Sequence, residues 1–237
     1  YDDFNTVGSS GFGKYRYYGV EDSNTTLQPI TPKDAVLHLR FNDNSTTNVT
    51  DVSGYQNNGR TVGGAVWVTN LTCRNNFVGC AAFDGSNDFV QIANSGSLQP
   101  TNMTIAFWLM TRAASPTSGY ILHKGNAEYT VNFSGGSQIQ FGRGATNAVQ
   151  TARTAWSTTS FEHVVFVQNA SGAAVYVNGT RENTSTINTM PTGTGSLFVA
   201  SRDGTDTFLA TVVDEIIIIN RSLTADEVYQ LYVGGFN

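Results

Sequence analysis

Paired carboxylates are the side chains that most simply support acid–base chemistry, and the chain carries two adjacent pairs, Asp214-Glu215 and Asp226-Glu227. Retaining glycoside hydrolysis needs two carboxyls about 5–5.5 Å apart. Neighbours on a strand point to opposite faces, and neighbours on a helix do not face each other, so neither pair makes a dyad. The three histidines are scattered: His38 and His163 fall in strand patterns, and His123, in His123-Lys124-Gly125 at a strand end, is the one to inspect for function. No serine triad, phosphate loop or dinucleotide fingerprint is present. The chain is therefore expected not to be an enzyme.

Recognition chemistry is better supplied. Aromatic faces stack on sugars while Asn, Asp and Arg bond hydroxyls, and Trp67, Trp108, Trp156 and several tyrosines are available. Trp108, inside Ile105-Ala106-Phe107-Trp108-Leu109, reads as buried. Trp156, in the polar stretch Thr151 to Ser160, is the candidate for an exposed ligand-binding ring.

Ten Asn-x-Ser/Thr acceptor patterns occur, at Asn24, Asn44, Asn48, Asn70, Asn102, Asn132, Asn169, Asn178, Asn183 and Asn220. That is about twice what 22 Asn and 49 Ser/Thr would produce by chance in 237 residues, although a turn-rich chain also makes the pattern by accident. Cys73 and Cys80 stand alone, without the histidines a zinc site would add, so a short disulfide is expected and two buried thiols are the alternative. Both features point to a secreted, N-glycosylated surface protein.

The elements that must carry these residues follow from composition. Charged residues are 13% of the chain against a usual ~25%, with six Glu and three Lys, too few for long surface helices. The 40% hydrophobic content can fill a sizeable core. A net charge of −5 with no basic run argues against nucleic acid as a partner, and no apolar run approaches the 18 residues of a membrane span. Ala35 to Phe41 alternates, with Leu37, Leu39 and Phe41 on one face and His38 and Arg40 on the other, as in a half-buried strand. Ten further short strands are expected, among them Met103 to Met110, Tyr129 to Phe133 and Ala210 to Ile219, and together they read as an antiparallel sandwich. Asn178-Gly179 predicts a two-residue hairpin, and Leu223 to Tyr232 a closing helix with Thr224 and Glu227 at capping-box spacing. Residues 1–33, glycine- and tyrosine-rich, read as an N-terminal arm ahead of one sandwich domain, residues 34–237.

Several strings, in order, resemble the laminin G-like (concanavalin A-like lectin/glucanase) domain. They are Leu37-His38-Leu39-Arg40-Phe41-Asn42-Asp43, Asp51-Val52-Ser53-Gly54-Tyr55-Gln56-Asn57-Asn58-Gly59, Ala82-Phe83-Asp84-Gly85-Ser86-Asn87-Asp88-Phe89-Val90, Met103-Thr104-Ile105-Ala106-Phe107-Trp108, Phe161-Glu162-His163-Val164, Val175-Tyr176-Val177-Asn178-Gly179 and Val213-Asp214-Glu215-Ile216. The Cys73–Cys80 insertion and the arm depart from the family pattern. The resemblance implies a two-sheet jelly roll, mostly non-catalytic, that recognises glycans or cell-surface proteins outside the cell. Some members hold a structural calcium, and Asp51, Asn57, Asp84, Asp88 and Asp214 supply the kind of oxygen ligands it takes, although Asx side chains also close turns. The catalytic strand pattern Glu-x-Asp-x-(x)-Glu of related glycoside hydrolases is missing. A glycan-binding adhesion module is the leading expectation. The alternative is a structural protomer of a filament or sheath, a homopolymer joined through the arm.

Overall fold

The computed structural model describes residues 34–43, 47–68, 73, 79–125, 128–143, 146–187 and 193–234. The expected arm, residues 1–33, lies outside them.

Among the described residues sixteen strands form: β1 (Ala35–Leu39), β2 (Asn48–Val49), β3 (Gly59–Val62), β4 (Val66–Val68), β5 (Cys80–Asp84), β6 (Phe89–Ile92), β7 (Met103–Thr111), β8 (Tyr120–Lys124), β9 (Tyr129–Phe133), β10 (Ile139–Arg143), β11 (Thr146–Gln150), β12 (Glu162–Asn169), β13 (Gly172–Val177), β14 (Thr180–Ser185), β15 (Leu197–Val199) and β16 (Ala210–Ile219). They pair antiparallel into two sheets. The first runs β14-β13-β12-β7-β16-β5-β4, with β1 also on β16, and the second runs β11-β10-β9-β8-β15-β6-β3-β2. Between them lies the main core, which includes Leu37, Phe83, Ile105, Phe107, Val131, Phe141, Phe166 and Val213. The expected sandwich is thus present.

Local signals come through residue by residue. Asn178 (φ +50°) and Gly179 (φ +76°) form the tip between Val177 and Thr180, the two positive φ angles that a type I′ hairpin requires. The closing helix α1 spans Ala225–Gly234, and both arms of its capping box form: the Thr224 N–H donates to Glu227 Oε2 (2.8 Å) and the Glu227 N–H to Thr224 Oγ1 (3.3 Å).

Strand β1 corrects one expectation. It ends at Leu39, before Phe41 turns to φ +54°, and all five of its residues are buried. The half-buried reading fails because the outer face of the first sheet is itself covered: Leu223, just ahead of α1, and Val228 and Leu231 on it pack with Ala35, Ile217 and Ile219. His38 is buried and pairs through Nε2 with Glu215.

Candidate functional site

The outer face of the second sheet carries polar side chains, some tied to backbone carbonyls, as Thr130 to Gly142 O and Asn132 to Phe133 O, and others with no partner. On β9 and β10 the side chains of Tyr129, Val131, Phe133, Ile139 and Phe141 point into the core, so Thr130, Asn132 and Gln140 point out. On β8 a register shift between Tyr120 and Leu122 sends both Ile121 and Leu122 inward and leaves Tyr120 and His123 on the outer side. Cross-strand pairing then aligns two rows. Arg60 stands opposite Gln91, Gln91 opposite Phe198, Phe198 opposite His123, and His123 opposite Thr130. Tyr120 stands opposite Asn132, and Asn132 opposite Gln140, about 7 Å along the strands from the first row. Among the described residues, the Arg60 guanidinium, the Gln91 and Gln140 amides and the Tyr120 hydroxyl make no hydrogen bond or ion pair. Polar donors and acceptors bond a sugar's hydroxyls while aromatic rings stack on its apolar faces, and both kinds of group stand along these rows.

A loop from Ser201 to Phe208 closes one side of this face. Phe89 lies 5.9 Å from Phe198 and 6.2 Å from Phe208, ring centre to ring centre. Gly204, at φ +84°, crosses so closely that a Cβ there would sit 2.9 Å from the Phe89 ring. His123 is buried beneath Tyr120, whose ring meets it edge-on at 5.1 Å, and its Nδ1 has no hydrogen-bond partner. Burial, aided by the Arg202 guanidinium, holds its pKa below the ordinary 6.5, against the opposing pull of Asp203, Asp206 and Glu128. The sign follows: a neutral imidazole favoured in the fold contributes stability that is present above pH 6.5 and lost as pH falls below it. Unfolding measured between pH 7.5 and 5 will show the parent losing more stability on acidification than His123→Gln, and equal slopes would remove this account.

The residues named from sequence go elsewhere. Asp51 is buried, and its carboxylate accepts from the N–H groups of His38, Ser53 and Asn57 (each 2.9 Å) and from Ser53 Oγ (2.8 Å). Asn57 donates through Nδ2 to Val36 O and Ser97 Oγ. Asp84 accepts from the Ser86 N–H (2.7 Å), and Asp88 from the Asp84 N–H (3.2 Å). Burial raises the Asp88 carboxyl above the usual carboxylate range. Asp214 is 1% exposed and accepts the Glu215 N–H (2.8 Å) in a β-bulge where Glu215 takes φ +49°. Among the described residues no three His, Cys, Asp or Glu side chains converge, and the donors aimed at Asp51 are N–H and O–H groups. In the structure Asp51 and Asp84 close turns through these bonds, and Asp214 Oδ1 takes the Glu215 N–H in the bulge.

Trp156 is a second correction. It is 4% exposed, with Nε1 donating to Ser137 O (2.7 Å) and its ring meeting Phe133 edge-on at 5.9 Å. It belongs to the core: the Trp156 N–H donates to Ala114 O and the Thr111 N–H to Ser157 O, which ties the segment to the end of β7 while the indole joins the core cluster. Cys73 and Cys80 are joined in a disulfide that packs with Ala82 and Val212. Closing so short a loop contributes about 2–3 kcal/mol. Asn48, Asn102, Asn169, Asn183 and Asn220 are exposed, Asn132 and Asn178 half-buried, while Asn24, Asn44 and Asn70 fall outside the described residues.

Sequence reasoning did not single out Arg60, Gln91, Tyr120 or Gln140. Each sits at an outward position of a short strand, and that alternation was the available signal.

A family model described as the concanavalin A-like lectin/glucanases superfamily, of laminin G type, matches residues 84–229. No curated protein matches the chain. Among solved structures, the binding domain of Paraclostridial Mosquitocidal Protein 1 is similar with a TM-score of 0.68 at 15% identity, over 85% of this chain and 52% of that one. Domain 4 of AbnA, a GH43 extracellular arabinanase from Geobacillus stearothermophilus, solved with arabinotriose, is similar with a TM-score of 0.65 at 15% identity, over 84% of this chain and 98% of that one. The binding domain of botulinum neurotoxin DC, solved with rat synaptotagmin II, has a TM-score of 0.66 at 12% identity, over 86% and 52%. The chain thus spans about half the length of the toxin binding domains it matches.

Proposed function

The chain belongs to the concanavalin A-like lectin/glucanase superfamily, and from that membership we propose that it is a non-catalytic, extracellular, N-glycosylated recognition module that binds an oligosaccharide on the outer face of its second sheet. One observation carries this reading: the unspent polar groups of Arg60, Gln91, Tyr120 and Gln140 stand in two aligned rows beside aromatic rings. The arabinanase domain, solved with arabinotriose, supports a sugar ligand, and the toxin domains support recognition as the shared activity of the shape. The Cys73–Cys80 disulfide supports an oxidising compartment. Among the described residues no helix is long and apolar enough to cross a membrane. The adjacent acids have other partners: Asp214 Oδ1 accepts the Glu215 N–H, Glu215 pairs with His38 and Arg40, and Glu227 pairs with Arg221 and closes the helix cap.

The test is a glycan array followed by titration of the best ligand. Tyr120→Ala and Gln140→Ala should each weaken binding about tenfold, the equivalent of one good contact, with little change in stability because both side chains are partly exposed. Silence across plant, microbial and animal sugars, or affinity indifferent to both substitutions, would falsify the reading.

A further inference from the structure

Asn178 is held at the hairpin tip by two hydrogen bonds with His163. Its Oδ1 accepts the His163 N–H (2.9 Å) and its own N–H donates to His163 O (2.8 Å), so the side chain is fixed at the hairpin tip. Among the described residues its Nδ2 has no protein partner. Thr180, which completes the acceptor pattern, is exposed.

Beside this tip stands an aromatic ledge from α1. A Cβ built on Gly179 would meet the Tyr229 ring at 2.9 Å and the Tyr232 ring at 3.0 Å. Tyr232 is stacked on Trp108 (5.7 Å) and His163 (5.9 Å), which locks it in place, and Tyr229 lies 6.4 Å from Tyr232. Yet Tyr229 is 55% exposed and Val233, one helical turn on, 57%. These are the largest exposures among the chain's bulky apolar side chains in the described residues, and they share one helix face. A tyrosine ring with an open face next to a fixed acceptor amide is a stacking platform for the first sugars of a chain joined there.

We propose that Asn178 carries an N-linked glycan whose proximal sugars pack on Tyr229 and Val233, so that this glycan, among those the chain carries, is a structural part of the helix–hairpin junction. The inference rests on the extracellular reading above. The reaction is transfer from a lipid-linked oligosaccharyl pyrophosphate: the Nδ2–C1 bond forms as the sugar–phosphate bond breaks, the pyrophosphate lipid leaves, and Nδ2 gives up one proton. The amide oxygen keeps its lone pairs, so the bond to the His163 N–H survives modification.

The test uses the whole chain, secreted from a eukaryotic cell and, in parallel, from a bacterial periplasm without N-glycosylation. Peptide mass spectrometry reads occupancy at each sequon. Thr180→Val removes the acceptor pattern while leaving Asn178 and its hydrogen bonds intact. The expected result is occupancy at Asn178 and a Tm lowered by about 2–4 °C by Thr180→Val in the glycosylated protein. No such shift is expected in the bacterial protein, nor when Thr180→Val is made on a Tyr229→Ala background. Occupancy at Asn102, Asn169 or Asn220 with Asn178 bare overturns this inference alone, as does a Tm shift that ignores Tyr229. A chain with no sugar at any sequon overturns the glycoprotein reading as well.

Discussion

Glu128→Gln will destabilise the fold by about 3–5 kcal/mol, measured by chemical denaturation, because it strands a buried ammonium. Lys124 is 0% and Glu128 2% exposed at the side chain, and their ion pair spans 2.7 Å. The Lys124 ammonium also donates to Asn94 Oδ1 and Gly195 O, each at 2.7 Å. Glu128 Oε1 in turn accepts the Gly195 N–H at 2.7 Å. This cluster gathers the ends of four adjacent strands: Asn94 follows β6, Gly195 precedes β15, Lys124 ends β8 and Glu128 precedes β9. Those strands carry the rows proposed to meet the ligand. A glutamine keeps the shape and one acceptor but not the charge, leaving the buried Lys124 side chain without its counter-charge. Losing one partner is the costly case; exchanging both for apolar residues is often close to neutral. The double variant Lys124→Met/Glu128→Leu should therefore recover much of the loss. A cost below about 1 kcal/mol for Glu128→Gln would show that the pair is effectively solvated.

Much of this was legible where the cause is local. The Asn178-Gly179 tip, the Thr224/Glu227 capping box and the Asx turn at Asp84 depend on residues within a few positions of each other, and each forms as its spacing predicts. The long strands β7 and β16 were legible because burial on both faces demands nearly continuous apolar residues. The recognition face was not, because its rows are made by pairing. Arg60, Gln91, Phe198 and His123 come from four strands far apart in the chain, and adjacency across a sheet depends on registers that no single segment encodes. The bulge at Asp214–Glu215 was hidden for a related reason. There β16 changes edge partner, from β5 at Val213 to β1 at Ile216, and the irregularity belongs to the junction of three strands. That junction turns Glu215 toward His38 and Arg40, whereas the strand alternation read from sequence gave the acid pair no such partners.

Trp156 separates composition from environment most sharply, and its substitution has the other large effect. Its neighbours Thr154, Ala155, Thr158 and Thr159 are exposed, which is why the stretch reads as surface. The indole nevertheless turns inward. The Trp156 N–H donates to Ala114 O (2.9 Å), anchoring the segment, while Nε1 donates to Ser137 O in the turn between β9 and β10. Phe133 abuts one edge of the ring and the Arg153 guanidinium lies 5.4 Å from its centre, itself paired with Glu162 and Glu182. Trp156→Ala should cost about 3–5 kcal/mol, from lost burial and the cavity left behind. Trp156→Phe, which keeps most of the packing but leaves Ser137 O without its donor, should cost roughly 1–3 kcal/mol. Because the ring lies on the core side of the second sheet, folded Trp156→Ala should bind sugar with the parent's affinity once the unfolded fraction is subtracted. An exposed sugar-stacking tryptophan would behave in the opposite way, with stability kept and binding lost, and that outcome would return Trp156 to the ligand.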